Sequence, residues 1–343
     1  LLTMPPSFPY GGMENPRLTF LTPTVLAGDR SLVSLVAHEL AHSWSGNLVT
    51  NATWSDAWLN EGVTSYFELR LMEALYGPEV GAMLSRLSLV DLGRTFQQVG
   101  EQSPQTALYV QLSGDPEEGA SEVIYEKGAA FLQTLEQTVG RDRFDAFLRS
   151  YFERHAFQSM DTRGFLAELR EHLVRGDAAL EARLRLDEWV YRPGLPSNVW
   201  RPRTERFAHV EAQARRFQEG AAASQLETRG WITQEWQYFL NVLPRQLSTA
   251  QLASLDAAFG LTRTGNSEVL FLWLEKAIAS RYEPALPALE TFLRSQGRGK
   301  FVRPLYRHLL ESSWGGPLAR RIYRGARPGY HPVVAGSLDP LLQ

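Results

Sequence analysis

The chain has 343 residues, of which 44% are hydrophobic and 21% are charged, and its formal net charge is -3. This composition is typical of a globular protein large enough for two cores, and the negative charge argues against nucleic-acid binding, which needs a basic patch. The sequence has no cysteine, so disulfides are excluded and any metal ion must be held by histidine and carboxylate side chains. No apolar run is long enough to span a bilayer, so we expect no membrane partner.

The first 25 residues are rich in proline and glycine, and a helical pattern follows them. Asp29 is the predicted N-cap of this helix, because a carboxylate can accept the unpaired backbone N–H groups of a first turn. Apolar residues then recur at helical spacing as far as Leu40. A second helix is predicted over residues 59–76, where Gly77 and Pro78 end the pattern.

Helical periodicity continues along most of the remaining chain, and no series of alternating strands is predicted after residue 25. Repeated prolines over residues 192–203 predict a linker. We therefore predict a catalytic domain over residues 1–195 and an all-α domain of stacked helices over residues 204–343. The further predicted helices cover residues 79–95, 123–139, 141–155, 161–174, 204–222, 248–259, 265–280 and 283–296.

A metal-binding pattern lies inside the first predicted helix, in the sequence His38-Glu39-Leu40-Ala41-His42. Residues four apart on a helix share one face, so His38 and His42 can direct their imidazoles at one ion. Glu61 follows His42 by nineteen positions, near the start of the second helix. Two histidines and one glutamate leave a coordination position open for water, as a catalytic zinc site requires. The alternative interpretation is an amphipathic helix with two solvent-exposed histidines.

The chemistry of such a site follows from its parts. Zinc lowers the pKa of a water toward neutrality, and Glu39 can accept the proton as a general base and pass it to the leaving amine. The oxyanion that develops on the substrate needs a second donor besides the metal. The pattern therefore predicts one zinc ion per chain and a hydrolytic reaction.

The chain combines Gly11-Gly12-Met13-Glu14-Asn15 with the HExxH helix and Glu61. Together these motifs resemble those of the M1 aminopeptidases, also called gluzincins. The resemblance is closest to the branch that contains leukotriene A4 hydrolase and aminopeptidase B. That branch is also similar in three further segments, residues 5–10, Tyr125-Glu126-Lys127-Gly128 and residues 297–305.

The resemblance implies a role for each matching residue. His38, His42 and Glu61 would bind zinc, with Glu39 as the base and Tyr125 as the oxyanion donor. Other matching positions would bind the substrate. The Glu14 carboxylate would pair with the free α-amino group of the substrate. Arg298 and Lys300 would bind the carboxylate at the far end of a short peptide. The substrate-binding residues implied are Tyr10, Gly11, Gly12, Met13, Glu14, Glu117, Arg298 and Lys300.

The chain also differs from the branch at three positions. Where the member that hydrolyses leukotriene A4 has Asp, Tyr and Phe, this sequence has Glu117, Ala120 and Ala57. These differences favour peptide hydrolysis and a differently shaped side-chain pocket over a bifunctional epoxide hydrolase, which is the alternative enzymatic function. A catalytically silent zinc protein that binds peptides is the alternative from another class, but such a relative would be expected to lose Glu39 or Tyr125.

The resemblance further implies the architecture. M1 proteins combine an N-terminal β-rich domain, a thermolysin-like catalytic domain and a C-terminal helical domain, and this chain is expected to hold the last two. The predicted fold class is therefore mainly α, or α+β if a truncated upstream sheet is counted. We expect the missing N-terminal domain to pack on the catalytic domain. Short peptides with a free N-terminus are the expected substrates, with no nucleic-acid partner and a cytoplasmic location.

Overall fold

The computed structural model describes residues 1–112 and 121–343. These residues form two compact units, which we call the central unit and the terminal unit. The central unit is Val36–Thr204, and the terminal unit combines Leu1–Leu35 with Glu205–Gln343. Helices make up most of both units, which confirms the mainly-α fold class. None of the described helices has both the length and the apolar character of a membrane span.

The central unit is built around aromatic side chains at the centre of its helices. Trp58 is fully buried, with its ring 5.9 Å from Phe131 and 5.6 Å from Phe165, and Phe131 stacks on Trp189. Two π-helical segments, Val123–Lys127 and Leu169–Val174, adjoin α4 and α6. The helices are α1 (Val33–Ala41), α2 (Trp58–Tyr76), α3 (Pro78–Val99), α4 (Gly128–Val139), α5 (Arg141–Arg154), α6 (Thr162–Glu168), α7 (Ala178–Leu184) and α8 (Leu186–Tyr191).

The terminal unit joins a small sheet to eight helices. Strands β1 (Leu2–Thr3), β2 (Gly12–Met13) and β3 (Phe20–Leu21) form a sheet in the order β1-β3-β2, in which β2 pairs antiparallel with β3 and lies at an edge. All residues from 204 to 343 are described, and they contain helices without strands. These helices are α9 (Glu205–Gln218), α10 (Thr233–Val242), α11 (Thr249–Phe259), α12 (Ser267–Ala279), α13 (Leu286–Ser295), α14 (Gly299–Glu311), α15 (Gly316–Ala326) and α16 (Pro332–Leu342).

The structure corrects two sequence-based expectations. Asp29 does not cap α1, which begins at Val33; its carboxylate instead accepts hydrogen bonds from the backbone and hydroxyl of Ser31 and from the hydroxyl of Thr233. A parallel strand pair also exists after residue 25, between β4 (Val49–Asn51) and β5 (Gln158–Met160). Three residues are too few to show the alternating pattern that reveals a strand in a sequence.

Candidate metal centre and active site

His38 lies on α1, and His42 directly follows its last residue, with its backbone N–H donating to the His38 carbonyl at 3.2 Å. The two side chains therefore share one face, as their spacing predicted. Their rings lie 4.7 Å apart in an edge-to-face arrangement, and both residues are buried. Each ring is also held through Nδ1. That atom of His38 lies 3.1 Å from Glu68 Oε2, while that of His42 lies 2.9 Å from the Ser45 carbonyl and 3.0 Å from Thr64 Oγ1. The Nε2 atoms of both histidines therefore face the same point.

Glu61 completes the cluster from the first turn of α2. Its Oε2 lies 3.3 Å from His38 Nε2 and 3.4 Å from His42 Nε2. The loop before α2 is fixed by Asp56, whose Oδ1 accepts hydrogen bonds from the backbone and hydroxyl of Thr162 at 2.8 and 2.7 Å. Trp58 donates its indole N–H to the same hydroxyl at 3.0 Å. These contacts set where α2 begins and so where Glu61 points.

The electrostatics of the cluster show how strongly it favours a positive charge at its centre. Burial raises the pKa of Glu61, but hydrogen bonds from His38 and His42 outweigh it and lower the pKa to about 2. Burial likewise opposes a charge on His38, yet hydrogen bonds to Glu61 and Glu68 raise its pKa well above the usual range. Glu61 and Glu68 thus stabilise a positive charge on the buried imidazole of His38.

The three side chains fit a zinc ion. A tetrahedral ion with bonds of about 2.0–2.1 Å separates two of its ligand atoms by roughly 3.3–3.4 Å. The distances from Glu61 Oε2 to the two Nε2 atoms are 3.3 and 3.4 Å, and all three ligand atoms lie within 4.8 Å of one another. Since each Nδ1 already has a partner, each Nε2 is the nitrogen left for the metal.

Two further side chains of the predicted site lie beside this cluster. Glu39 is buried on α1, and one of its carboxylate oxygens lies within 4.8 Å of a ring nitrogen of His42. Tyr125 is carried by the π-helical turn Val123–Lys127, and its ring stacks on His38 with centroids 6.0 Å apart and an angle of 28°. The central unit therefore brings together all five residues predicted to bind the metal or act in catalysis.

The predicted substrate-binding residues Tyr10, Gly11, Gly12, Met13 and Glu14 lie in the terminal unit. Gly12 and Met13 form the edge strand β2, and the carbonyl of Gly11 accepts a hydrogen bond from the backbone of Thr22 at 2.8 Å. Tyr10 is partly exposed, and Glu14 follows β2 as a half-buried residue. An edge strand followed by a carboxylate is compatible with the predicted role in substrate binding.

The predicted basic pair Arg298 and Lys300 also lies in the terminal unit. Both side chains contact the buried Glu268, Arg298 Nη1 at 3.1 Å and Lys300 Nζ at 3.3 Å. The guanidinium of Arg298 stacks over Phe301 at 5.0 Å, and a Cβ on Gly11 would lie 3.0 Å from its Nη2. Two cations thus share one buried carboxylate.

The predicted specificity residues are only partly described. Glu117 and Ala120 lie outside the described residues. Ala57 is buried at the start of α2, where its backbone N–H donates to the carbonyl of Trp54 at 3.2 Å.

Sequence reasoning missed the side chains that hold the histidines. Glu68 follows Glu61 by seven positions, which is two helical turns. This spacing indicates that both side chains lie on the same face of α2. Thr64 lies one turn after Glu61, and its hydroxyl forms hydrogen bonds with the Ser45 hydroxyl and with His42 Nδ1. Ser45 contributes through its backbone carbonyl, for which no side-chain pattern exists.

Comparisons with known proteins agree with a metallopeptidase. Residues 1–189 match the peptidase family M1 domain, and residues 231–342 match the C-terminal domain of leukotriene A4 hydrolase. A leucine aminopeptidase 2 from Ajellomyces capsulatus is 36% identical over 98% of this chain and 55% of its own length. A leukotriene A-4 hydrolase homolog from Botryotinia fuckeliana is 37% identical over 99% of this chain and 53% of its own length.

A solved structure gives the same result in three dimensions. Yeast LTA4 hydrolase in complex with bestatin superposes with a TM-score of 0.84 and 31% identity, over 98% of this chain and 58% of that chain. The chain belongs to peptidase family M1. The chain spans about half the length of the curated relatives that it matches.

Proposed function

We propose that this chain is the zinc-dependent catalytic part of an aminopeptidase that removes the N-terminal residue of short peptides. The observation that carries the proposal is the fit of His38, His42 and Glu61 to one tetrahedral ion, with the Glu39 carboxylate beside them. One zinc ion per chain would be bound there. When bound, zinc in such a site acidifies a water and polarises the scissile carbonyl.

The side chains of the central unit would then perform the proton transfers. Glu39 would take a proton from the attacking water and later deliver it to the leaving amine. The Tyr125 hydroxyl would donate a hydrogen bond to the carbonyl oxygen as negative charge develops on it. The stacking of Tyr125 on His38 supports this role, because the phenol ring lies beside a residue that we propose to bind the metal.

The terminal unit would supply recognition of the two peptide ends. An extended peptide can add to an edge strand such as β2 through backbone hydrogen bonds, and Glu14 directly after it would pair with the α-ammonium group. Arg298 and Lys300 would bind the carboxylate at the other end. Their shared contact with Glu268 supports this, since it holds the two cationic groups close together.

We also propose that Glu117 selects basic first residues. A carboxylate pairs bidentately with arginine in a geometry that lysine cannot copy. The small side chain of Ala57 would leave room for bulky apolar residues such as leucine. Comparing kcat/KM for arginine and leucine amides in the wild type and in Glu117→Gln tests this role; an unchanged ratio would remove Glu117 from substrate selection.

Two other functions are less well supported. A relative is called a leukotriene A-4 hydrolase homolog, but Ala57 stands where the epoxide-hydrolysing branch member has a larger side chain. A silent peptide-binding module would not need a base and an oxyanion donor, yet Glu39 lies near His42 and Tyr125 stacks on His38.

Hydrolysis of aminoacyl chromogenic amides by the purified protein, with and without a chelator, tests the proposal. We expect turnover that disappears with the chelator and returns on adding zinc, together with about one zinc per chain by metal analysis. Absence of zinc and of zinc uptake would overturn the metal assignment. Zinc binding without turnover of any amide would favour the silent module.

The domain division and the location also remain proposals. We propose a catalytic domain over residues 1–195 and a helical domain over 204–343, supported by the irregular, proline-rich segment between α8 and α9. We propose a cytoplasmic location, which the absence of cysteine supports. Limited proteolysis and cell fractionation are the corresponding tests.

A further inference from the structure

Tyr125 is held by an irregular element, and its position depends on how that element meets α2. The turn Val123–Lys127 is π-helical and runs directly into α4. Such turns are rare and are frequently found at functional sites, because the extra residue changes where a side chain points. The ring of Tyr125 stacks on His38, so a shift of the turn relative to α2 would move the phenol relative to the metal ligands.

Two glycines allow the turn and α2 to approach unusually closely. A Cβ added to Gly62 would lie 2.7 Å from the carbonyl oxygen of Ile124 and 2.8 Å from the Cα of Gly128. A Cβ added to Gly128 would lie 2.6 Å from the Cα of Gly62. The neighbours are backbone atoms and cannot rotate away, so any side chain at either position would push the two elements apart.

The two glycines lie next to the two segments that carry the proposed metal ligand and the proposed oxyanion donor. Gly62 directly follows the ligand Glu61, and Gly128 follows Tyr125 by three positions, less than one turn. The contact between them therefore fixes the separation between the segment that carries a metal ligand and the segment that carries the phenol.

Lys127 holds the same turn from its other side. Its side chain is fully buried, and Nζ donates to the carbonyl of Thr106 at 2.9 Å and to that of Arg192 at 2.8 Å. These bonds connect the turn to two loops of the central unit. Burying an amine is costly without such partners, so Lys127 is an anchor whose removal would leave two carbonyls unpaired.

We propose that the Gly62–Gly128 backbone contact and the Lys127 anchor form a positioning device that holds the Tyr125 hydroxyl at the reacting carbonyl. The glycines set the distance between the turn and α2, and Lys127 prevents the turn from rotating away. The proposal rests on the proposed function, because it assigns the device a role in the step in which Tyr125 donates to the developing oxyanion. Gly62, Gly128 and Lys127 are positioning residues and touch no substrate.

A double-mutant cycle tests the proposal, because a residue that acts only through Tyr125 has no effect once the hydroxyl is gone. Tyr125→Phe should lower kcat by roughly 10²–10³-fold. Gly128→Ala should lower kcat by about 10–100-fold, since a displacement near 1 Å costs on that order, with KM and zinc content little changed. In the Tyr125→Phe background, Gly128→Ala should cost less than about threefold further.

The matched control is Gly93→Ala on α3, where an added Cβ would meet no atom of the described residues within 4 Å; it should leave kcat unchanged. Should Gly128→Ala fail to fold, the same cycle with Lys127→Met decides, because that change adds no atom to the glycine contact. Equal losses in the wild-type and Tyr125→Phe backgrounds, or no loss in either, would overturn the positioning role. An unchanged kcat in Tyr125→Phe alone would instead overturn the proposed role of Tyr125 in the reaction.

Discussion

Glu39 lies on α1 and His42 directly follows its last residue, almost one turn later, yet the proposed site gives them different tasks. Glu39→Gln removes the base and leaves the three ligands in place, so we expect normal zinc content with activity reduced by at least about 10²-fold. His42→Ala removes a ligand, so zinc should be lost together with activity. Metal analysis and amide turnover on the same preparations distinguish the two variants. Equal loss of metal in both would contradict the separate roles.

Glu68 is a glutamate that orients a ligand without binding the metal. Its Oε2 lies 3.1 Å from His38 Nδ1 and so fixes which nitrogen of that ring faces the metal. Because such partners typically change metal affinity 10–100-fold, we expect Glu68→Gln to weaken zinc binding by about that factor while saturating zinc restores most of the activity.

Competition with a chelator at fixed pH measures this change in affinity. Glu153→Gln is the matched control, because Glu153 is an exposed glutamate on α5, and its zinc affinity should equal that of the wild type. An unaltered affinity in Glu68→Gln would show that Ser45, Thr64 and the helix alone orient the two rings.

The π-helical turn Val123–Lys127 carries a second titratable group besides Lys127, the carboxyl of Glu126, and its protonation affects stability. Burial, together with repulsion from Glu122, raises the pKa of Glu126 to about 8, although a hydrogen bond from Ser88 opposes the shift. Asp91 on α3 and Glu68 on α2 add further repulsion. Between pH 4.5, the ordinary pKa of the group, and about pH 8, Glu126 keeps its proton in the folded state and loses it in the unfolded state. Stability therefore falls as pH rises through this window.

Glu126→Gln resembles the protonated carboxyl at every pH and should remove this dependence. Relative to the wild type, the variant should gain about 1–3 kcal/mol in the free energy of unfolding between pH 5 and pH 8. Unfolding midpoints measured across this range, at constant zinc occupancy, test the expectation. A constant difference between variant and wild type at every pH would show that Glu126 does not change its proton on unfolding.

Elements that repeat a local pattern could be predicted from the sequence, and elements that depend on distant contacts could not. Helical spacing identified α2 nearly to its observed ends, because Gly77 and Pro78 end it locally. It also predicted one helix over residues 123–139, where the structure has the π-helical turn followed by α4. The turn depends on packing against α2, which periodicity does not encode.

The same division holds for the site. His38, His42 and Glu61 were found because metal ligation demands specific residue types at specific helical spacings. Tyr125 came only from the family motif, since a tyrosine near a helix start is usually a packing residue. The Gly62–Gly128 contact was missed, because a glycine in a helix reveals a close approach only when the neighbouring backbone is known.

For the whole molecule, the proposed recognition of a free α-amino group predicts how substrates are selected. N-acetylation removes the ammonium charge with which Glu14 would pair, so we expect acetylated peptides to be cleaved at least about 10²-fold less efficiently than free ones. Measuring kcat/KM for matched free and acetylated peptides tests this. Comparable cleavage of both would indicate an endopeptidase.

The contacts that place α2 also determine when the metal ligands can come together during folding. His38, His42 and Glu61 lie within 24 residues of one another, yet β4, between the two helices, pairs with β5, and Asp56 binds Thr162 across 106 positions. Closing so long a loop costs entropy before its contacts contribute. We therefore expect the local ligand motif to acquire its final geometry only after residue 162 has been synthesised, so that zinc captured earlier would meet a more flexible set of ligands.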